Sequence, residues 1–324
     1  MSTPPLRRRI VYALIPLLLL LGGVELASAV VAQTVLSTRN PTEGFRTTPL
    51  PKRAVVRAED AALSVVCVGD SWTFGWGLEV EQSYPHQLEQ LLRQHTDAQV
   101  VNLGNPGASP IRAARALNSY LQTASADVVV YLAGSNTPMN RVTMEDRRTP
   151  APLRTLRPYL RHLASYRLLS QLIARARLKG DDDLKTWDVE AEQQRFRPDE
   201  QGQWLEYALG STRANMARMA DMAEAFDYDL LVLTYGLPAP LDPYRGQQWY
   251  RFPELNAVIR QAAADNGLTV LDMEARYAAR GGVGAEGLYY GEARLSPQNL
   301  DIHPSQAGYA IYAEEVAAWI LESR

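Results

Sequence analysis

The sequence predicts an α/β protein whose parallel sheet is covered by helices on both faces. Two observations carry that expectation. Short runs rich in valine and leucine recur five times between residues 64 and 271, separated by stretches with helical spacing. The clearest of them are apolar throughout rather than alternating, as strands buried on both faces are.

The first strand is expected at Ser64–Val68, and it runs into Gly69-Asp70-Ser71. Residues 83–95 follow with apolar positions at Leu88, Leu91 and Leu92, the spacing of a helix. The second strand, Gln99–Leu103, ends in Asn102-Leu103-Gly104-Asn105-Pro106-Gly107. A helix over 111–123 leads to the third strand, Asp127–Ala133, which ends in Gly134-Ser135-Asn136. The alternation then lapses over about 141–210. This segment is rich in Arg and Leu at first and polar and charged later, so an amphipathic helix and a surface insertion are expected. Such an insertion is either the specificity region or a solvated excursion. The pattern resumes with a helix over 211–226, a fourth strand at Asp229–Tyr235, a helix over 253–266, a short strand at Leu268–Leu271 and a last helix over 304–321.

Ahead of this body stands a different composition. Arg7-Arg8-Arg9 precede an uncharged stretch from Ile10 to Val24, and apolar character resumes after Glu25 through Ala32. A secretory signal with a small-residue Ala27-Ser28-Ala29 site is one reading. An uncleaved transmembrane helix is the other, since the stretch is long enough for ~30 Å of hydrocarbon. Continuation of the apolar run past the cleavage site favours the anchor. Either way the arginines leave everything after Gln33 outside the cytoplasm, so the protein is expected to be extracytoplasmic, membrane-anchored or secreted. The organisation is therefore an anchor or signal over 1–33, a linker over 34–58, and a single domain over 59–324 with its insertion at 141–210.

The 324 residues are 46% hydrophobic and 21% charged, enough for a substantial core. Without residues 1–33 the body holds 30 basic and 35 acidic residues. That balance, with no basic stripe recognised beyond the first ten residues, speaks against a nucleic-acid partner. One cysteine, Cys67, excludes an internal disulfide and reads as a small buried hydrophobe. Four histidines leave little for a metal site, and no metal or cofactor is expected.

The chemistry-bearing residues sit where strands end. In an open parallel sheet the ligand crevice lies beyond the carboxyl ends of the strands. Ser71 after the first strand, Gly107 after the second and Asn136 after the third would face one crevice, with Asp301-Ile302-His303 returning to it before the last helix. These residue types can perform acyl transfer. Ser71 would be the nucleophile and His303 the base, while a close backbone N–H at Gly107 and the amide of Asn136 would stabilise an oxyanion. Standing alone, Gly-Asp-Ser reads more readily as a strand-ending turn. Trp72, Phe74 and Trp76 lie near the serine, and packing under the turn is the expected fate of at least two. Asp272, ending the fifth strand, is placed to serve as an alternative acid, although a turn role suits it better.

These blocks resemble the SGNH hydrolases, the GDSL-type lipase/esterase superfamily, over residues 64–318 apart from the insertion. The resemblance implies a three-layer α/β/α sandwich with a five-stranded parallel sheet and hydrolysis of carboxylic esters. It implies Ser71 as nucleophile and oxyanion donor, Gly107 and Asn136 as the other donors, and His303 as base. Two departures stand out. Thr137 follows Asn136 where the family has aspartate, and the family's acid position three residues before the histidine is Leu300. Asp301, two residues before, is the orienting acid in this reading; a Ser–His dyad helped by a backbone carbonyl is the alternative. The missing glycine two residues after Ser71 argues against an ordinary α/β-hydrolase elbow. The expected function is an extracytoplasmic O-acyl or acetyl esterase acting on acylated glycans. Alternatives are O-acetyl transfer, lipid or lysophospholipid hydrolysis, and a catalytically idle binding protein on the same fold.

Overall fold

The computed structural model describes residues 6–31, 61–136, 156–157, 159–181, 201–236, 252–281, 287–288 and 303–324. An N-terminal helix α1 spans Leu6–Val31. The body begins with β1 (Leu63–Gly69), the one-turn α2 (Ser71–Phe74), α3 (Tyr84–Leu92) and β2 (Ala98–Gly104). It continues through α4 (Pro110–Leu121), β3 (Val128–Leu132), α5 (Ala164–Gly180) and α6 (Gln201–Phe226). It finishes with β4 (Asp229–Leu233), α7 (Phe252–Asp265), β5 (Thr269–Leu271), α8 (Met273–Ala279) and α9 (Gln306–Ser323).

The five strands form one parallel sheet in the order β2-β1-β3-β4-β5. All seven residues of β1 and all five of β3 are buried, which is why their sequences are apolar without alternation. Helices α4, α6 and α7 pack side by side, and α3 pairs with α9. Right-handed crossovers put the first group on one face of the sheet and the second on the other. The chain leaves β1 for β2 on one side, then returns to β3 on the other. The reversal puts the switch point between the ends of β1 and β3, where a ligand crevice opens.

The strands fall within two residues of the expected bounds, and most helices do too. α6 differs: it starts at Gln201, ten residues inside the expected insertion. A nucleated helix extends at little cost per residue, so the polar composition that reads as an excursion does not stop it. The described part of the insertion is α5, which packs along α6. Arg157 and Arg161, just before α5, reach Glu224 and Asp229 at the amino-terminal edge of the sheet. At the far end of α5, Asp181 and Arg218 are both buried and pair at 2.6 Å. These residues brace α6 and do not stand over the crevice, so the specificity role expected of 141–210 does not fall on them.

Among the described residues no helix is long and apolar enough to cross a membrane. The transmembrane helix expected in residues 1–33 is therefore without structural support.

Candidate active site

Ser71 stands at the carboxyl end of β1 as the first residue of α2. Its preceding residue, Asp70, caps that single turn by accepting the backbone N–H of Trp72 on Oδ1 at 3.0 Å. The turn presses against the end of β2: a Cβ on Gly104 would lie 2.1 Å from the backbone nitrogen of Phe74. Only glycine permits that approach, and it seats the serine against the sheet.

His303 comes from the segment before α9 and places Nε2 2.8 Å from Ser71 Oγ. The serine and the imidazole thus meet in a hydrogen bond across 232 positions of sequence. Gly107 follows β2 with φ +72°, a left-handed conformation that favours glycine, and the space where a Cβ would project is open. Asn136, half-buried, follows β3 on the other side of the switch point. Asp301 lies outside the described residues. Asp272 caps α8 instead of facing the histidine. Burial pushes its carboxyl up, but bonds from Arg260, the Ala275 N–H and the Thr234 hydroxyl outweigh that and leave it below the usual range.

Behind the serine lies a polar network that the strand and helix pattern does not mark. Asp70 is fully buried, and its Oδ2 accepts hydrogen bonds from the Ser135 hydroxyl at 2.5 Å and the Tyr235 hydroxyl at 2.6 Å. The Tyr235 oxygen also accepts the backbone N–H of Ser135 at 3.0 Å. Burial holds the Asp70 carboxyl above its ordinary value, against the opposing pull of Ser135, Tyr235, the Trp72 N–H and His303. Tyr235 is fixed in turn by Asn256, whose amide takes its N–H at 2.8 Å and donates to its carbonyl at 3.0 Å. The sequence pattern extends the fourth strand through Tyr235, but β4 ends at Leu233 and the tyrosine turns across toward Asp70. The available signal is chemical: a carboxylate next to an apolar strand requires buried donors, and Tyr235 and Ser135 end neighbouring strands.

The three aromatics near the serine have different fates. Trp72 is buried and meets Tyr235 edge-on at 5.2 Å and His303 at 6.1 Å. Phe74 is half-buried. Trp76 is 47% exposed, with its ring 6.4 Å from that of His303, so it forms part of the rim. Cys67 is fully buried in β1, and burial pushes its thiol up to about 12, so it is an inert part of the core.

Several solved structures are distantly similar to the chain. The lipase/acylhydrolase from Enterococcus faecalis is 16% identical, with a TM-score of 0.47 over 80% of this chain and 95% of that one. A catalytic mutant of Axe2, an acetylxylan esterase from Geobacillus stearothermophilus, is 13% identical, with a TM-score of 0.45 over 80% and 94%. A putative lipolytic protein of the G-D-S-L family from Desulfitobacterium hafniense is 18% identical, with a TM-score of 0.43 over 79% and 98%. Such distant likenesses say nothing about substrate. No curated protein matches the chain. The family model described as GDSL-like lipase/acylhydrolase matches residues 67–311, from β1 into α9. The chain belongs to the GDSL-like lipase/acylhydrolase family.

Proposed function

We propose that this protein is a serine-dependent carboxylic-ester hydrolase that removes O-acyl groups, acetyl above all, from glycans outside the cytoplasm. The reading rests on one observation, the 2.8 Å contact between Ser71 Oγ and His303 Nε2 at the carboxyl edge of the sheet. His303 takes the hydroxyl proton as Ser71 Oγ attacks the ester carbonyl, forming a tetrahedral oxyanion. The Ser71 and Gly107 backbone N–H groups and the Asn136 amide stabilise that oxyanion. The C–O bond to the sugar then breaks, and His303 returns the proton to the departing alcohol. Water attacks the acyl-serine in the second half, with His303 again acting as base, and carboxylate is released. Asp301 orients the imidazole.

A glycan substrate is supported by the small rim at Trp76, where an exposed indole beside the histidine suits stacking on a sugar face. The location is supported by Arg7-Arg8-Arg9 followed by an uncharged stretch, which holds the N-terminus in the cytoplasm and the body outside. The test is to supply acetylated glycan and measure free acetate and glycan acetylation together. Acetate release dependent on Ser71 supports the hydrolase. Transfer of acetyl to a second glycan without acetate release identifies a transferase and overturns it.

A further inference from the structure

We propose that the outer face of α5, beside α1, is a membrane contact that lies in the plane of an anionic bilayer. The inference rests on the extracytoplasmic location proposed above and adds a lipid-facing surface to it. Residues 164–180 contain four basic residues, Arg167, Arg175, Arg177 and Lys179, and no acidic one, in a chain whose net charge is −3. Residues 147–180 as a whole carry no Asp or Glu, so a basic stretch does lie beyond the first ten residues.

The side chains are sorted around the helix. At about 100° per residue, Ala174 and Leu178 point one way and are buried against α6, while Leu169, Leu172 and Ile173 point the opposite way. Those three are 58%, 50% and 44% exposed, which isolated surface leucines can be but a contiguous stripe seldom is. Arg177, which pairs with Asp221 of α6 at 2.9 Å and stays half-exposed, flanks the stripe on one side; Arg175, which donates to the Ala225 carbonyl, and Lys179 flank the other. Long basic stems beside an apolar stripe let the charges reach phosphates while the stripe enters the acyl boundary.

The stripe does not stand alone. α1 packs on α5, and the Glu25 carboxylate accepts the Ser165 backbone N–H at 3.2 Å and its hydroxyl. The α1 held there carries exposed apolar side chains of its own, Leu18–Leu21, Val24 and Leu26. Basic flanks favour an anionic lipid surface over a second copy of this acidic chain. Arg161, ahead of α5, pairs with Asp229 at the start of β4, whereas Ser71 follows the end of β1. Because α5 runs from that edge along α6, contact along its length leaves the crevice opening along the lipid surface and not into it, within reach of soluble or polymeric esters.

The test uses the full chain carrying Leu172→Cys, labelled with an environment-sensitive dye; Cys67 is fully buried and does not compete. Vesicles containing phosphatidylglycerol are expected to shift its emission to the blue, and shallow nitroxide lipids to quench it. A dye at Gln94→Cys, exposed two residues past the end of α3, should not respond. A response at Leu26→Cys but not at Leu172→Cys overturns the α5 contact and leaves lipid contact to α1 alone. Silence at both overturns both. A concentration-dependent shift without vesicles assigns the face to a second copy and also overturns the proposal.

Discussion

The Tyr235 hydroxyl donates to Asp70 Oδ2 at 2.6 Å and accepts the Ser135 N–H at 3.0 Å, so one oxygen ties the serine's turn to the loop that carries Asn136. The tie joins the ends of β1, β3 and β4 behind the reacting hydroxyl. Tyr235→Phe leaves the Ser135 N–H without that acceptor and the carboxylate with one fewer donor. Stability should fall by about 1–3 kcal/mol in denaturant titration. In steady-state kinetics the loss should appear in kcat more than in KM, since the donors are displaced and the crevice is not.

Asp70 gives the fold a pH dependence of defined sign. Its carboxyl is held above the ordinary value of 3.8 by burial, so the folded state binds that proton more tightly than the unfolded state. The contribution is fully present below 3.8 and is lost as pH rises through the folded-state value. Asp70→Asn removes it. The stability of the wild type relative to Asp70→Asn should therefore decline as pH rises from that point, measured by urea midpoints at a series of pH values. A constant difference across the series would contradict the assignment.

The buried pair between Arg218 and Asp181 fastens the end of α5 to α6. Asp181→Ala removes the carboxylate paired with a buried guanidinium, and should cost about 3–5 kcal/mol in equilibrium unfolding. Esterase activity of the folded fraction should remain near wild type, because this pair braces the sheet's flank and not its crevice.

Much of the sheet is legible in the sequence because burial on both faces demands apolar runs, and β1 and β3 have little else. Ser71, Gly107, Asn136 and His303 are legible because they occupy strand ends and the segment before α9. Tyr235 is not. As a residue of high strand propensity after Leu-Leu-Val-Leu-Thr, it continues the local pattern, and only its distant bond to Asp70 turns it out of the strand. The extension of α6 to Gln201 escapes for a related reason: local polarity says surface, and says nothing about whether a surface segment is helical.

The role assigned to Asp301 rests on sequence spacing, two residues before His303. Asp301→Asn should lower kcat more than about tenfold with little change in KM, as expected of a carboxylate that orients an imidazole. Activity within that range of wild type would leave a Ser–His dyad.

The most direct measurement is the rate of covalent labelling by a fluorophosphonate, followed by intact mass and peptide mapping. The wild type should take up one label on Ser71 and Ser71→Ala none. His303→Ala should slow labelling by about a thousandfold or more, because the hydroxyl then has no base to take its proton. Labelling at an unchanged rate without His303, or at a residue other than Ser71, would contradict the account.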